Sequence, residues 1–265
     1  MNERNNTFRT VRFENPERIP IHYGIGSGCW DHYPQDALQE LMAEHPLLFP
    51  DFHKSQEKIV PHYAPWRRKD EIYTDSWGSV WETSENGITG AVVKHALESW
   101  DDFGTYEPPS PDEHNGWGPI DWEAIRKNLE KTRKEGKLTR GVLRHGHTFL
   151  TLTYIRGYEN LMFDMMEDSR HLKELVTMVG EFNLGLVKRY LKLDVEWMGY
   201  PEDLGMQEGT MLSPVHFRQY IKPVYERLMA PAREAGCVVH MHSDGDVRAL
   251  MDDLLDLGID AINIQ

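Results

Sequence analysis

Cysteine is scarce in this chain, and its scarcity rules out several architectures at once. Cys29 and Cys237 are the two cysteines in 265 residues, far apart and outside any Cys-x-x-Cys pattern. A disulfide framework is excluded, and the usage suits a reducing compartment. Long hydrophobic runs are missing too. No stretch approaches the ~18 apolar residues of a membrane-spanning helix. The opening Met1-Asn2-Glu3-Arg4-Asn5-Asn6 lacks the apolar core of a secretion signal, so a cytoplasmic location is the expectation. Positive charge is in short supply: 29 Lys and Arg face 43 Asp and Glu, a net charge of −14. Such a surface repels phosphate backbones and anionic lipid, so neither nucleic acid nor a membrane is expected as partner. No Gly-x-Gly-x-x-Gly follows a candidate strand, and there is no P-loop and no Gly-x-Ser-x-Gly elbow. Dinucleotide, nucleotide and serine-hydrolase chemistry are left without support. Neither a repeat of fixed period nor a low-complexity tract is present.

What is there suits one globular α/β domain spanning 1–265. Hydrophobic residues make up 40% and aromatics 11%, enough to bury a core, and barrels of alternating strands and helices run to roughly 250 residues. After a polar arm or short helix over 1–18, Ile19-Pro20-Ile21-His22-Tyr23-Gly24 reads as a first short strand. Helical spacing over 35–45 puts Leu38, Leu41 and Met42 on one face, and Leu47-Leu48-Phe49 is a second apolar run. Residues 54–120 are rich in Trp, Tyr, Gly and Pro, with Asn86-Gly87 as a hairpin signal; they read as a β-rich insertion. A regular alternation follows. Helices are expected over 121–136, over 158–193 with a break near Asp168-Ser169, over 213–236 and over 246–257. Strands begin at Gly141, Val195, Cys237 and Asp260. Ser213-Pro214 opens its helix as cap and first-turn proline, and Pro223 predicts a kink. The pattern implies parallel βα units: a TIM-type (β/α)8 barrel with about six units present and the C-terminal part incomplete. An open doubly wound sheet is the alternative.

Chemistry-bearing residues cluster where these strands end, the place where barrel active sites are built. In His240-Met241-His242-Ser243-Asp244 the two imidazoles share one strand face, and Asp244 joins them if the chain stays extended. Imidazole and carboxylate at this spacing can hold zinc or another divalent metal, or act as acid and base; a packed histidine followed by an Asp-Gly turn is the plainer reading. Asp51 and His53 follow the Leu47-Leu48-Phe49 run. Arg144-His145-Gly146-His147 follows the Gly141 strand, and Glu202-Asp203 the Val195 strand. Each alone reads equally as a cap or turn; together they favour a site. Tyr154 and Arg156 come further along. Arg156 could grip a substrate carboxylate in bidentate fashion or pair with an acidic helix neighbour. Asp75-Ser76-Trp77-Gly78 in the insertion reads as a hairpin with exposed aromatics, or as a rim of the pocket.

These segments resemble, in order, the uroporphyrinogen decarboxylase superfamily. Asn15-Pro16-Glu17-Arg18-Ile19-Pro20 is similar to the entry of its first barrel strand, and Phe49-Pro50-Asp51 to the end of the second. Thr153-Tyr154 and Arg156-Gly157 are similar to the third unit, and Glu202-Asp203-Leu204-Gly205, Leu212-Ser213-Pro214 and Lys222-Pro223 to the fourth. His242-Ser243-Asp244-Gly245 and Gly258-Ile259-Asp260-Ala261-Ile262-Asn263 match the fifth and sixth. The resemblance implies an eight-stranded barrel, with about two units to follow Gln265. It also implies one of two chemistries: decarboxylation of a tetrapyrrole, or zinc-dependent methyl transfer from a corrinoid protein.

The chain departs from both branches. The decarboxylases carry an Arg-Gln-Ala-Gly-Arg-Tyr loop that holds substrate carboxylates; here Tyr23-Gly24-Ile25-Gly26-Ser27-Gly28 stands in its place, and Met206 replaces a serine near Gly209. Asp51 and Tyr154 match the decarboxylase acid and phenol. The methyltransferases carry His-x-Cys-Gly; here His242 matches and Asp244 replaces the cysteine. The expectation placed first is metal-assisted methyl transfer, with a small-molecule substrate, a corrinoid protein as partner, and zinc on His242 and Asp244 with Glu202 and His240 as further candidates. His53, His147, Arg156 and Asp203 are the substrate-binding candidates. The alternatives are a carboxy-lyase using Asp51 and Tyr154, and a non-catalytic binder on this fold.

Overall fold

The computed structural model describes residues 2–21 and 23–265. Its N-terminal third holds α1 (Glu3–Val11), α2 (Cys29–His32) and α3 (Gln35–Glu44). The Asn2 side chain caps α1 by accepting from the Asn5 amide. Strands β1 (Tyr73–Thr74), β2 (Val80–Glu82) and β3 (Ala91–Lys94) form an antiparallel sheet in that order. Asn86-Gly87 lies in the β2–β3 connection, with Gly87 at φ 82°, so the turn chemistry matches the hairpin expected there. The aromatics of this region are not exposed: Trp77 and Trp81 are buried, and Trp77 and Leu97 join the main core.

Alternation then begins. α4 (Trp122–Lys134), capped by Asp121, leads to β4 (Arg140–Val142). Next come α5 (Phe149–Arg156), α6 (Tyr158–Met166), α7 (Arg170–Lys192) and β5 (Trp197–Pro201). A small hairpin of β6 (Gly205–Met206) and β7 (Gly209–Thr210) precedes α8 (Pro214–His216) and α9 (Lys222–Glu234). β8 (Val238–Ser243), α10 (Met251–Asp256) and β9 (Ala261–Ile264) close the chain. The expected break near Asp168 falls between α6 and α7, where Asp168 takes a φ of 52° and the Ser169 side chain caps α7. Between α8 and α9 the chain makes a π-helical turn over Phe217–Ile221. Pro223 has no N–H to continue the regular ladder, and the helix accommodates it by this wider turn. None of the described helices is long and apolar enough to cross a membrane.

β4, β5, β8 and β9 form a parallel sheet in the order β4-β5-β8-β9. Its two faces differ. Met198, Tyr200, Val239 and Met241 point to the helices, where they pack with Leu175, Val179, Phe182, Tyr225 and Leu228 of α7 and α9, and the Tyr200 hydroxyl donates to the Leu228 carbonyl at 2.9 Å. By the two-residue period of a strand, Arg140, Val142, Trp197, Gly199, His240, His242, Ala261 and Asn263 occupy the other face. That face is more open and more polar.

The two strands expected before residue 54 do not form. Over 19–24 the described residues form neither strand nor helix (His22 lies outside them), and Ile19 and Ile21 stay exposed. Pro20 also lacks a donor for a ladder. At Leu47-Leu48-Phe49 the amides of Leu48 and Phe49 both donate to the His45 carbonyl, so a local turn consumes the donors a strand would need. Of the six strands expected, four pair in the parallel sheet, and the sheet is open.

Burial of the α7 face carries much of the stability. Leu175 is fully buried in this core, and cutting it to alanine removes packing that the rigid neighbours cannot refill. Leu175→Ala should lower unfolding stability by about 2–5 kcal/mol, read as a lower denaturation midpoint at unchanged slope.

Candidate metal centre at the strand ends

The loops leaving β4, β5 and β8 meet at the C-terminal edge of the sheet, and backbone hydrogen bonds lock two of them together. The Glu202 amide donates to the His242 carbonyl at 2.9 Å, Gly205 to Asp244 at 3.2 Å, and Asp246 to Met206 at 2.7 Å. The Ser243 hydroxyl accepts from the Leu204 amide. Gly205 and Gly245 make the approach possible. A Cβ on Gly205 would stand 2.4 Å from the Gly245 carbonyl carbon, and Gly245 takes a φ of 79°, which side chains rarely adopt.

This clamp brings His145, Asp203 and His242 together, with one donor atom from each within 4.8 Å of the others. His145 Nε2 lies 3.3 Å from Asp203 Oδ1, and His242 Nε2 lies 3.9 Å from the same oxygen. Asp244 Oδ1 is 3.3 Å from His242 Nε2, and the Asp244 amide donates to Asp203. Hydrogen bonding to Asp203 raises the pKa of His145 against the opposing effect of partial burial. Burial works against charge on Asp203, yet His145, the Asp244 amide and His242 hold its carboxyl below the usual value. Tyr154, projecting from α5, lies within electrostatic reach of Asp203, and burial raises its phenol well above the ordinary value. Its ring meets Trp81 edge-on at 4.6 Å.

Glu202, expected among the metal ligands, has another task. It is fully buried, and its carboxyl accepts from the amides of Thr148, Phe149 and Leu150 and from the Tyr225 hydroxyl. Thr148 offers no side-chain cap to α5, so Glu202 satisfies the orphan donors of that helix start. Burial pushes its carboxyl up, and these four donors pull against that shift. His240 shares a face with His242 but lies one step back, 5.2 Å from the Trp197 ring, and is not part of the cluster. Burial, with Arg140 and His242, lowers its pKa.

The other expected residues scatter. His147 is a core histidine: its Nδ1 contacts the Thr148 hydroxyl at 2.6 Å, Tyr200 and Tyr225 flank its ring, and burial pushes its imidazole down to about 3. Arg156 is buried against Asp164 at 2.8 Å, donates to the carbonyls of Leu97 and Glu98, and stacks on Trp100. It braces the fold instead of facing a ligand. Asp51 lines a cavity of about 960 Å³ with Phe49, Lys137 and Arg140, at the N-terminal end of β4. The structure does not bring it to Tyr154. His53, close by, is exposed.

The strand-end run Arg144-His145-Gly146-His147 offers His147 to a substrate; the structure buries His147 and brings its neighbour His145 to the cluster. Arg144 is buried, lies 4.1 Å from the Trp117 ring centre, and pairs with buried Asp75 at 3.4 Å and with the Gly116 carbonyl. Asp75 also accepts from the amides of Trp77 and Ser79 and from the Trp81 indole. Asp75-Ser76-Trp77-Gly78 therefore anchors the antiparallel sheet to the end of β4.

The family model for uroporphyrinogen decarboxylase (URO-D) matches residues 79–265. The chain belongs to this family. Among solved structures it is similar to a methyltransferase from Methanosarcina mazei, at 14% identity and a TM-score of 0.64, covering 97% of this chain and 74% of that one. That likeness speaks to the fold, which in this family is a TIM barrel. No curated protein matches the chain.

Two outcomes follow from these placements. His147 binds no proton in the folded state until about pH 3, whereas an unfolded histidine titrates near 6.5. A depressed folded-state pKa gives stability that is present above the unfolded value and lost as pH falls below it, here at up to about 1.4 kcal/mol per pH unit. Between pH 6.5 and 5 the stability of His147→Leu should fall less steeply than that of the parent in parallel denaturation series. Removing the partner of Arg156 should leave a buried charge uncompensated, so Asp164→Ala should cost about 3–5 kcal/mol in the same assay.

Proposed function

We propose that this URO-D family member is a metal-assisted methyltransferase whose metal centre is His145, Asp203 and His242. The observation that carries the reading is the convergence of two imidazoles and a carboxylate from three strand ends. The donor set suits zinc. Zn–N and Zn–O bonds of ~2.0–2.1 Å at tetrahedral angles require ligand atoms about 3.3–3.5 Å apart, and the Asp203 oxygen stands 3.3 and 3.9 Å from the two imidazole nitrogens. Three protein ligands leave a fourth position open, the arrangement of catalytic rather than structural zinc. Asp244 stands beside His242 as a further carboxylate.

Zinc bound there supplies a Lewis acid that favours the thiolate form of a thiol acceptor. The chain's own residues do the rest. Asp203 contributes the negative charge that balances a dication and draws both imidazoles to one point. The loop clamp around Gly205 and Gly245 fixes Asp203 and Asp244 before any ligand arrives, so little reorganisation is needed. Tyr154, its phenol raised by burial, keeps its proton at neutral pH within electrostatic reach of Asp203. The buried Arg144–Asp75 pair holds the β4 end from which His145 projects. In this reading the methyl donor is a corrinoid carried by a partner protein, and the acceptor is a small thiol. The carboxy-lyase reading needs an ionised carboxyl over the substrate ring. Asp51, its candidate, lies at the opposite end of β4.

The test is elemental analysis of the full chain purified without chelator, beside His242→Ala and Asp203→Ala. About one zinc per chain is expected in the parent and a large loss in both variants. Zinc-loaded parent should also demethylate methylcobalamin in the presence of a thiol, followed by the corrinoid absorption spectrum. A parent that holds no divalent metal, or variants that hold as much as the parent, would sink the reading.

A further inference from the structure

The apolar runs at 19–21 and 47–52, which form no strands, wall the cavity of about 960 Å³ at the end of β4 opposite His145. We infer that this cavity is a second binding site, for a small carboxylate with an apolar body. Arg18 and Arg140 take its head, and Ile19, Ile21 and Leu48 take its tail. The site is independent of the metal centre. In a chain of net charge −14 an arginine readily finds a carboxylate, as Arg4 finds Glu196 and Arg126 finds Glu123. Arg18 and Arg140 line the cavity yet form no ion pair among the described residues. Both are held in place by other means. The buried Asn6 side chain accepts from the Glu17 amide at 2.8 Å and donates to the Arg18 carbonyl at 2.6 Å, which fixes the backbone under Arg18. Arg140 faces Trp197 across the β4–β5 ladder, and its guanidinium carbon stands 4.9 Å from the centre of that ring. A ring face orients a cation without cancelling its charge.

The acids of the cavity are spread over several cations. Lys137 pairs with Glu135 at 3.0 Å and also feels Asp51 and Glu3; Glu3 acts on Arg140 as well. Among the described residues four cationic side chains, Arg4, Arg18, Lys137 and Arg140, line the space against the two carboxyls of Glu3 and Asp51, so it attracts an anion although the whole chain repels one. The rest of the wall is apolar. Ile19, Ile21 and Leu48 line the cavity and stay exposed, so a ligand tail laid on them removes apolar surface from water. Either feature alone selects poorly, since an apolar wall takes any hydrophobe and a guanidinium any anion. Together they select a molecule that is both. Guanidinium groups match the flat, two-oxygen head of a carboxylate, and the volume is that of a small-molecule site.

The probe is decanoate, with decanol as the uncharged control, titrated calorimetrically into the full chain at neutral pH. The parent should take one decanoate per chain and hold it more tightly than decanol. Arg18→Gln and Arg140→Gln should each weaken decanoate about 10–100-fold and leave decanol unchanged. Arg140→Lys, which keeps the charge, should recover part of the loss, as a damaged fold would not. His242→Ala should bind decanoate like the parent, because the head lies at the other end of β4. A parent that takes no decanoate, or takes decanol as tightly, overturns the proposal. So do arginine variants that bind decanoate like the parent. Loss of decanoate in His242→Ala overturns the location by placing the carboxylate at the strand-end cluster. A parent that holds no zinc overturns the metal-centre reading alone, and the arginine variants still decide this site.

Discussion

Glu202 is the carboxyl on which the strand-end architecture hangs. It lies at the end of β5, takes three amides from the first turn of α5, and takes the hydroxyl of Tyr225 from α9. A buried helix start without such an acceptor would leave several donors unpaired at a cost of about 1–3 kcal/mol each. One side chain thus joins two helices to the central sheet. Its neighbour Asp203 consequently projects the other way, toward His145 and His242. The site residue is aimed by the residue before it.

The sheet divides its labour by face. Apolar side chains of β5 and β8 point to α7 and α9 and build the core. The same strands, one residue out of phase, carry His240, His242 and Asn263 on the more open face. Packing density on the helix side keeps the strand ends in register, and the register sets which polar groups converge. The Arg144–Asp75 pair extends this frame sideways by tying the antiparallel sheet to the end of β4. Charge is buried there with aromatic faces on the guanidinium, from Trp117 at 4.1 Å and Tyr154 at 5.4 Å. Cation–π contact offsets part of the desolvation.

Much of this was legible in the chain. The helices over 121–136, 158–193, 213–236 and 246–257, the cap at Ser213 and the four parallel strands follow from periodicity and turn chemistry, whereas α5 over Phe149–Arg156 was not legible. The placement of His240 and His242 on one strand face follows from periodicity too. Less legible were pairs whose members look alike. In His145-Gly146-His147 and in Glu202-Asp203, alternation says that neighbours diverge, but not which one faces the pocket. The choice depends on where β4 and β5 sit beside β8, and on which helix start needs an acceptor. Arg156 offers the same lesson: its carboxylate partner is Asp164, eight residues on, a contact that helix packing creates and spacing alone does not single out. The apolar runs at 19–24 and 47–49 read as strands because strand propensity is local. A ladder needs a paired edge, and here local turns and exposed loops took the donors instead.

The sequence by itself determined the class of the protein: an acidic, cysteine-poor α/β chain with its reactive residues grouped at strand ends, in the order shared by the URO-D family. Those properties reside in composition, period and motif order, which need no third dimension. Tertiary structure alone decided which imidazole and which carboxyl converge. Residues 145, 203 and 242 are joined only by parallel strand register, and a donor set is a matter of ångströms rather than of sequence distance.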